Sequence, residues 1–268
     1  MEPMPFDILT AVWRFGPEMA LYMLVQAVAV VVCIPLVRKY LPTCKDPTNI
    51  ADCIVSMVVF PIMCVWAFGA SFNLCHDVES RWRGQTVEGH SFLILYTARA
   101  IVHCFMQPFI DMSTQQLVLM TIHHMLSVMC FGGGLVSEHM HFFGCLNGCS
   151  EISTIFLTNL CLYKDMTASG VLRPSPFWRL FNKWNGILLW LTYFIFRILL
   201  FPYWLYRWTR DIFEVPELTW NRVHSFERYM YPAVTVFLLG ISTVWFLKIS
   251  KGALRELGFL PSKDRKEE

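Results

Sequence analysis

Three features of this sequence place reactive side chains inside otherwise apolar stretches: the pair His123-His124, the carboxylate Glu151, and His103. An imidazole titrates near neutrality and carries a nucleophilic nitrogen, so it can act as base, acid or nucleophile. A carboxylate close to such a ring orients and polarises it. Two guanidiniums, Arg99 and Arg197, lie in runs of the same character. They suit a phosphate or a developing oxyanion.

Helical spacing groups these residues. In the run 142–163, Asn147, Glu151, Thr154 and Thr158 recur at i, i+4, i+7 and i+11, one face of a helix. In 91–110, Tyr96, Arg99, His103 and Gln107 do the same. His124 shares a face with Ser127, and His123 is rotated from it by about 100°. Ionisable groups at membrane depth are costly and mark either a functional site or a buried pair. His123, His124 and Glu151 are therefore the catalytic candidates. Arg99, His103, Asn147, Thr154 and Arg197 are the substrate-binding candidates. The same stripes also admit a structural reading, in which they hydrogen-bond helices together and Glu151 pairs with Arg99 or Arg197.

Metal chemistry finds little support. The HxxxH and HxxHH patterns of membrane di-iron enzymes are absent, as is the HxxxH pair of seven-span zinc hydrolases. His139 and His141 form an isolated ligand pair. No CxxC occurs, and eight of the ten cysteines fall inside apolar runs, so neither a zinc site nor a disulfide framework is expected. No metal and no bound cofactor is predicted. His76-Asp77 reads as a surface pair.

The elements that must position these groups are membrane spans. Of the 268 residues, 55% are hydrophobic and 16% charged, where a soluble domain carries about a quarter charged. A crossing helix needs roughly 20 mostly apolar residues. Seven runs qualify: 18–37, 51–72, 91–110, 116–136, 142–163, 184–206 and 230–249. The third is the weakest, because Arg99 and His103 interrupt it. The rival count of six lays that run in the interface. The fold class is thus all-α, a multi-pass transmembrane bundle of about seven spans. The polar stripes, too costly to face lipid, turn inward to make a polar cavity.

Basic residues set the orientation. With the N-terminus outside, thirteen Lys and Arg fall on the cytosolic side and seven outside; Arg99 and Arg197 lie within spans. The first sixteen residues hold a single base, Arg14, unlike the basic start of a cleaved signal, so the first run stays as an anchor. Pro61 and Pro108, inside spans, should bend them. Phe201 to Trp208 reads as an aromatic belt at the outer interface. The net charge of +2 gives no basis for a nucleic-acid partner. Three regions follow: residues 1–44 with the first helix, a domain over 45–255, and a charged cytosolic tail over 256–268.

Several stretches together carry a resemblance. They are Ile122-His123-His124-Met125-Leu126-Ser127, then Cys149-Ser150-Glu151-Ile152-Ser153-Thr154, then Asn185-Gly186-Ile187-Leu188 with Arg197, and finally Lys248-Ile249-Ser250-Lys251-Gly252. In order and spacing they resemble the TLC domain, the family of ceramide synthases, the translocation-associated membrane protein and a ceroid lipofuscinosis protein. Phe177-Trp178-Arg179-Leu180 and the Glu-Ile-Ser-Thr motif resemble the lipofuscinosis branch. The resemblance implies an endoplasmic-reticulum protein of lipid metabolism with a cavity between helices. In ceramide synthases the His pair belongs to the site where an acyl chain passes from coenzyme A to a sphingoid base. That role carries over to His123 and His124, and the acidic position to Glu151.

The sequence departs from that pattern. Only Glu151 remains of the acidic residues, Val55 stands where many relatives have a histidine, and the usual third-span tyrosine and aspartate are replaced around Arg99 to His103. Two functions stay open. One is an acyltransferase with acyl-CoA as co-substrate and a sphingoid base or lysophospholipid as acceptor. The other is a non-enzymatic lipid sensor, regulator of membrane composition or cargo receptor. Expected partners are membrane lipids, with protein cargo or a second copy of the chain. The ending Arg265-Lys266-Glu267-Glu268 resembles a dilysine retrieval signal and points to the endoplasmic reticulum.

Overall fold

Helix starts are written plainly into the chain. Asp7 caps α1 (Ile8–Tyr40) by accepting from the Thr10 amide at 3.1 Å. Asp46, followed by Pro47, caps α2 (Pro47–Leu74). Asp77 caps the short α3 (Val78–Arg83), and Thr86 caps α4 (Val87–Met106). Ser113 and Gln116 form a capping box on α5 (Thr114–Ser137). Ser175 with Pro176 opens α8 (Pro176–Tyr193). His76-Asp77 thus serves helix initiation, with Asp77 bonded to the amide and hydroxyl of Ser80.

In the computed structural model, which describes residues 7–173, 175–256 and 259, every regular element is helical. The retrieval-like ending and nearly all of the predicted tail lie outside the described residues. Six helical stretches are long and apolar enough to cross a membrane: Ile8–Tyr40, Pro47–Leu74, Val78–Phe109, Thr114–Ser137, Pro176–Glu214 and Ser225–Arg255. The last contains α10 (Ser225–Glu256). The third run, weakest by hydropathy, is among them. It tolerates Arg99 and His103 because it is central, 61% buried against 17% for α1.

The predicted run 142–163 is not among the six, because it is divided into α6 (His141–Gly148), a 3-10 turn at Cys149–Glu151, and α7 (Ile152–Ala168), which together form one continuous helical stretch. At 28 residues it is about 42 Å long, enough to span. It runs antiparallel beside α2. Asp165 near its end accepts from Asn49 near the start of α2, while Ser71 near the end of α2 lies 3.9 Å from Cys149. The 3-10 turn leaves neither α6, with 8 residues, nor α7, with 17, long enough to cross by itself.

Loop contacts confirm the alternation of ends. Asp111 donates its amide to Asp46, and Thr43 bonds the Ser169 carbonyl, which places the connections 41–46 and 107–113 and the C-terminal end of α7 together. At the opposite end, Arg14 pairs with Glu138, Gln85 bonds the Glu138 carbonyl, and Ser137 bonds Glu227.

Two local expectations change. Pro108 ends α4 instead of bending it: α4 stops at Met106 and a 3-10 turn covers Gln107–Phe109. Proline lacks an N–H and its ring meets the carbonyl four residues back, so the helix stops there. The aromatic belt is mostly core. Phe201, Trp204 and Trp208, in α9 (Leu200–Glu214), are no more than 3% exposed, and the two tryptophans pack on Trp82 and Phe143. Burial is tolerated because Trp204 donates to the Phe143 carbonyl at 2.9 Å and Trp82 to Asp211 at 3.1 Å. Only Tyr203 and Tyr206 of the belt's larger rings stay exposed.

Candidate active site

The polar stripes of α4, α5 and α7 meet at a cavity of about 400 Å³, bordered on its other sides by α2, α8 and α10. It occupies the half of the bundle nearer the 41–46 and 107–113 connections. Asp52 is the sixth residue of α2, and His123 lies about 14 Å along α5 from its capped start. Seven of the eight predicted site residues line it: His123, His124, Glu151, Arg99, His103, Thr154 and Arg197.

Asn147 does not. It donates to Thr235 at 3.2 Å and faces α10. The 3-10 turn between Asn147 and Thr154 explains the separation. Each of its residues advances by about 120° where an α-helix advances by about 100°. Three such residues rotate the stripe by about 60°, which leaves Asn147 off the face that Glu151, Thr154 and Thr158 share. Gln107, the last member of the α4 stripe, likewise bonds Thr121 instead.

Two ion pairs flank the cavity. On one side Arg197 donates to Ser153 at 2.8 Å and Thr154 at 3.0 Å, and lies 3.8 Å from Glu151. It sits in a π-helical turn, Phe194–Leu199, where one extra residue per turn re-aims the side chain inward. Glu151 accepts in addition from the Tyr96 hydroxyl at 3.1 Å and from Thr154 at 2.7 Å. The structure thus chooses Arg197, not Arg99, as the partner of Glu151. No hydrogen bond joins Glu151 to His123 or His124; its oxygens are already engaged.

On the other side stands a residue that sequence reasoning missed. Asp52 accepts from Arg99 at 2.8 Å and meets His103 Nε2 at 3.0 Å. Arg99 also donates to Ser56 at 2.5 Å. The signal was present: a carboxylate just inside the second apolar run, four residues before Ser56. It reads as a span boundary unless the α2 cap at Asp46 is recognised, which moves the helix start outward. Lys248 on α10 and Tyr193 on α8 also line the cavity.

The imidazoles lie between the two pairs. His103 and His124 have ring centroids 4.9 Å apart, and His124 and His123 are 5.1 Å apart. His124 is 7% exposed, yet neither of its ring nitrogens has a protein partner, nor has Nδ1 of His123. Arg99 keeps Nε and Nη1 unbonded as well. A buried polar atom left unbonded costs about 1–3 kcal/mol. So many around one cavity make it a candidate site for polar groups of water or of a bound molecule. Among the described residues, no group of three or more His, Cys, Asp or Glu side chains is placed to hold a metal ion.

No curated protein and no solved structure matches the chain. A family model of the TLC domain matches residues 49–251, which include every residue lining the cavity. The match covers well over half of the sequence, and the chain belongs to the TLC domain family.

Proposed function

We propose that this chain is a lipid acyltransferase of the endoplasmic-reticulum membrane, with its C-terminus in the cytosol. It moves a long acyl chain from acyl-CoA to a lipid amine or hydroxyl. The observation that carries the reading is the set of unpartnered imidazole nitrogens on His123 and His124, opening on a cavity of about 400 Å³ inside a bilayer-spanning bundle. Ligand pockets of roughly 300–1,000 Å³ hold drug-sized molecules, and an apolar bundle suits an acyl chain. His123 or His124 acts on the acyl carbonyl or on the acceptor's proton. Arg197 and Glu151 fix the far wall through Ser153, Thr154 and Tyr96. The basic mouth residue Lys248 meets the anionic part of the donor.

The test uses purified protein in lipid nanodiscs. Long-chain acyl-CoA is supplied with a panel of sphingoid bases and lysophospholipids, and products are followed by mass spectrometry. The expected result is an acylated lipid formed by the wild type and lost in His124→Ala or His123→Ala. No product from folded protein over the whole panel rejects the reading. The non-enzymatic reading, a lipid sensor, regulator of membrane composition or cargo receptor, draws on one observation: the single remaining carboxylate of the family's acidic motif is tied up in hydrogen bonds and an ion pair. It is the outcome a folded but inactive protein would favour.

A further inference from the structure

We propose that the general base of this site is His103, held by Asp52, and that it takes the acceptor's proton. This rests on the acyl-transfer reading and assigns a role that the His123-His124 motif leaves undivided. Of the three cavity imidazoles, His103 alone meets a carboxylate, through Nε2 and Asp52 Oδ2 at 3.0 Å. That contact places the ring proton on Nε2 and leaves Nδ1 as a lone-pair acceptor, the tautomer a base requires. The carboxylate is itself immobilised. Arg99 Nη2 donates to Oδ1 at 2.8 Å and reaches Ser56 at 2.5 Å, so Asp52 cannot swing away.

The arrangement spans three elements. Asp52 comes from α2, Arg99 and His103 from successive turns of α4, and His124 from α5, with its ring edge against His103. Glu151 faces the same cavity from the far wall but is bonded to Tyr96 and Thr154. Arg99 and Asp52 offset each other's charge, so the dyad adds little net field to the cavity.

The step balances as follows. The acceptor nitrogen or oxygen forms a bond to the thioester carbonyl carbon while its proton passes to Nδ1 of His103. The carbon–sulfur bond breaks, and its electron pair leaves on sulfur. The imidazolium then returns the proton to that thiolate. The products are an acylated lipid and free coenzyme A thiol, with His103 restored. His103 is the catalytic residue in this step; Asp52 is a positioning residue.

The experiment compares wild type with His103→Gln and Asp52→Asn in nanodiscs, measuring turnover and the binding of a non-reactive thioether analogue of acyl-CoA. Glutamine keeps a hydrogen bond to Asp52, so the Arg99 pair stays in place even if Asp52→Asn fails to fold. We expect His103→Gln to lose about 10²–10⁴-fold in turnover while analogue affinity stays within about threefold. Added imidazole should restore part of the turnover of His103→Ala, a response that a purely structural role would not give. Turnover of His103→Gln within about threefold of wild type overturns the assignment. So does a loss of analogue binding that matches the loss of turnover. A wild type without any product instead rejects acyl transfer itself, and the dyad's role falls with it.

Discussion

The far wall of the cavity gives a quantitative test that needs no substrate. Arg197 and Glu151 each have side chains about 8% exposed and sit 3.8 Å apart. At an effective dielectric of 20 that separation corresponds to an attraction of about 4 kcal/mol. Desolvation offsets much of it, so the pair as a whole adds little, while removing one partner leaves a buried charge and costs about 3–5 kcal/mol. Arg197→Met should therefore destabilise by about 3–5 kcal/mol, roughly a hundredfold to several thousandfold in the folding equilibrium. Glu151→Gln, which keeps the oxygen that Tyr96 bonds, should cost about 3 kcal/mol by stranding Arg197. The double variant removes both charges and retains the Tyr96 bond. It should cost only about 1–3 kcal/mol, for the lost bonds to Ser153 and Thr154. The readout is denaturant unfolding in detergent micelles across the four proteins. Singles that add to the double within about 0.5 kcal/mol would refute the compensation. Glu151 would then be free of Arg197, and its assignment as a wall residue would fail.

Two other perturbations test how the site is framed. A Cβ on Gly148 would overlap the buried ring of Phe92, so Gly148→Ala should destabilise by about 1–3 kcal/mol, and Gly148→Ala with Phe92→Leu should recover most of it in the same unfolding assay. His139, in the connection between α5 and α6, is half-buried, and burial holds its pKa below the usual 6.5. The fold therefore favours the neutral ring; that stability is present above about pH 6.5 and declines as pH falls below it. The protection factor of the Met140 amide, which bonds the Trp82 carbonyl at 3.2 Å, should drop between pH 7 and pH 5 and stay flat in His139→Gln.

The crossings and the inward stripes were legible because apolar length and helical period depend on the chain alone. Arg99, His103, His124, Glu151 and Thr154 all face the cavity that their spacing implied. What spacing cannot supply is the neighbour across the gap. Glu151 had two candidate arginines at similar depth, and the choice of Arg197 follows from a π-helical turn that periodicity does not reveal. Asn147 kept the right spacing and lost the face, because a 3-10 turn overwinds the helix just after it. Trp204 looked like an interface anchor, since a sequence does not show that the Phe143 carbonyl awaits its side of the helix.

On the acyl-transfer reading, charge placement gives the reason for assigning the chemistry to the imidazoles and not to the charged residues. Arg99 is matched to Asp52 and Arg197 to Glu151, so the deep part of the cavity carries no surplus charge. A bound anion there would have to displace a carboxylate already seated at 2.8 Å in the first pair, at the desolvation cost of a buried ion. On the acyl-transfer reading, the phosphates of the donor therefore stay at the mouth beside the exposed Lys248, and only the neutral acyl chain enters. The thioester carbonyl then stops where the unpartnered nitrogens begin, at His123, His124 and Arg99. Lys248→Ala should accordingly raise the KM for acyl-CoA while leaving kcat near its wild-type value, since it removes binding that ground state and transition state share. Equal loss in kcat and in kcat/KM would place Lys248 among the reacting groups and undo this division between mouth and interior.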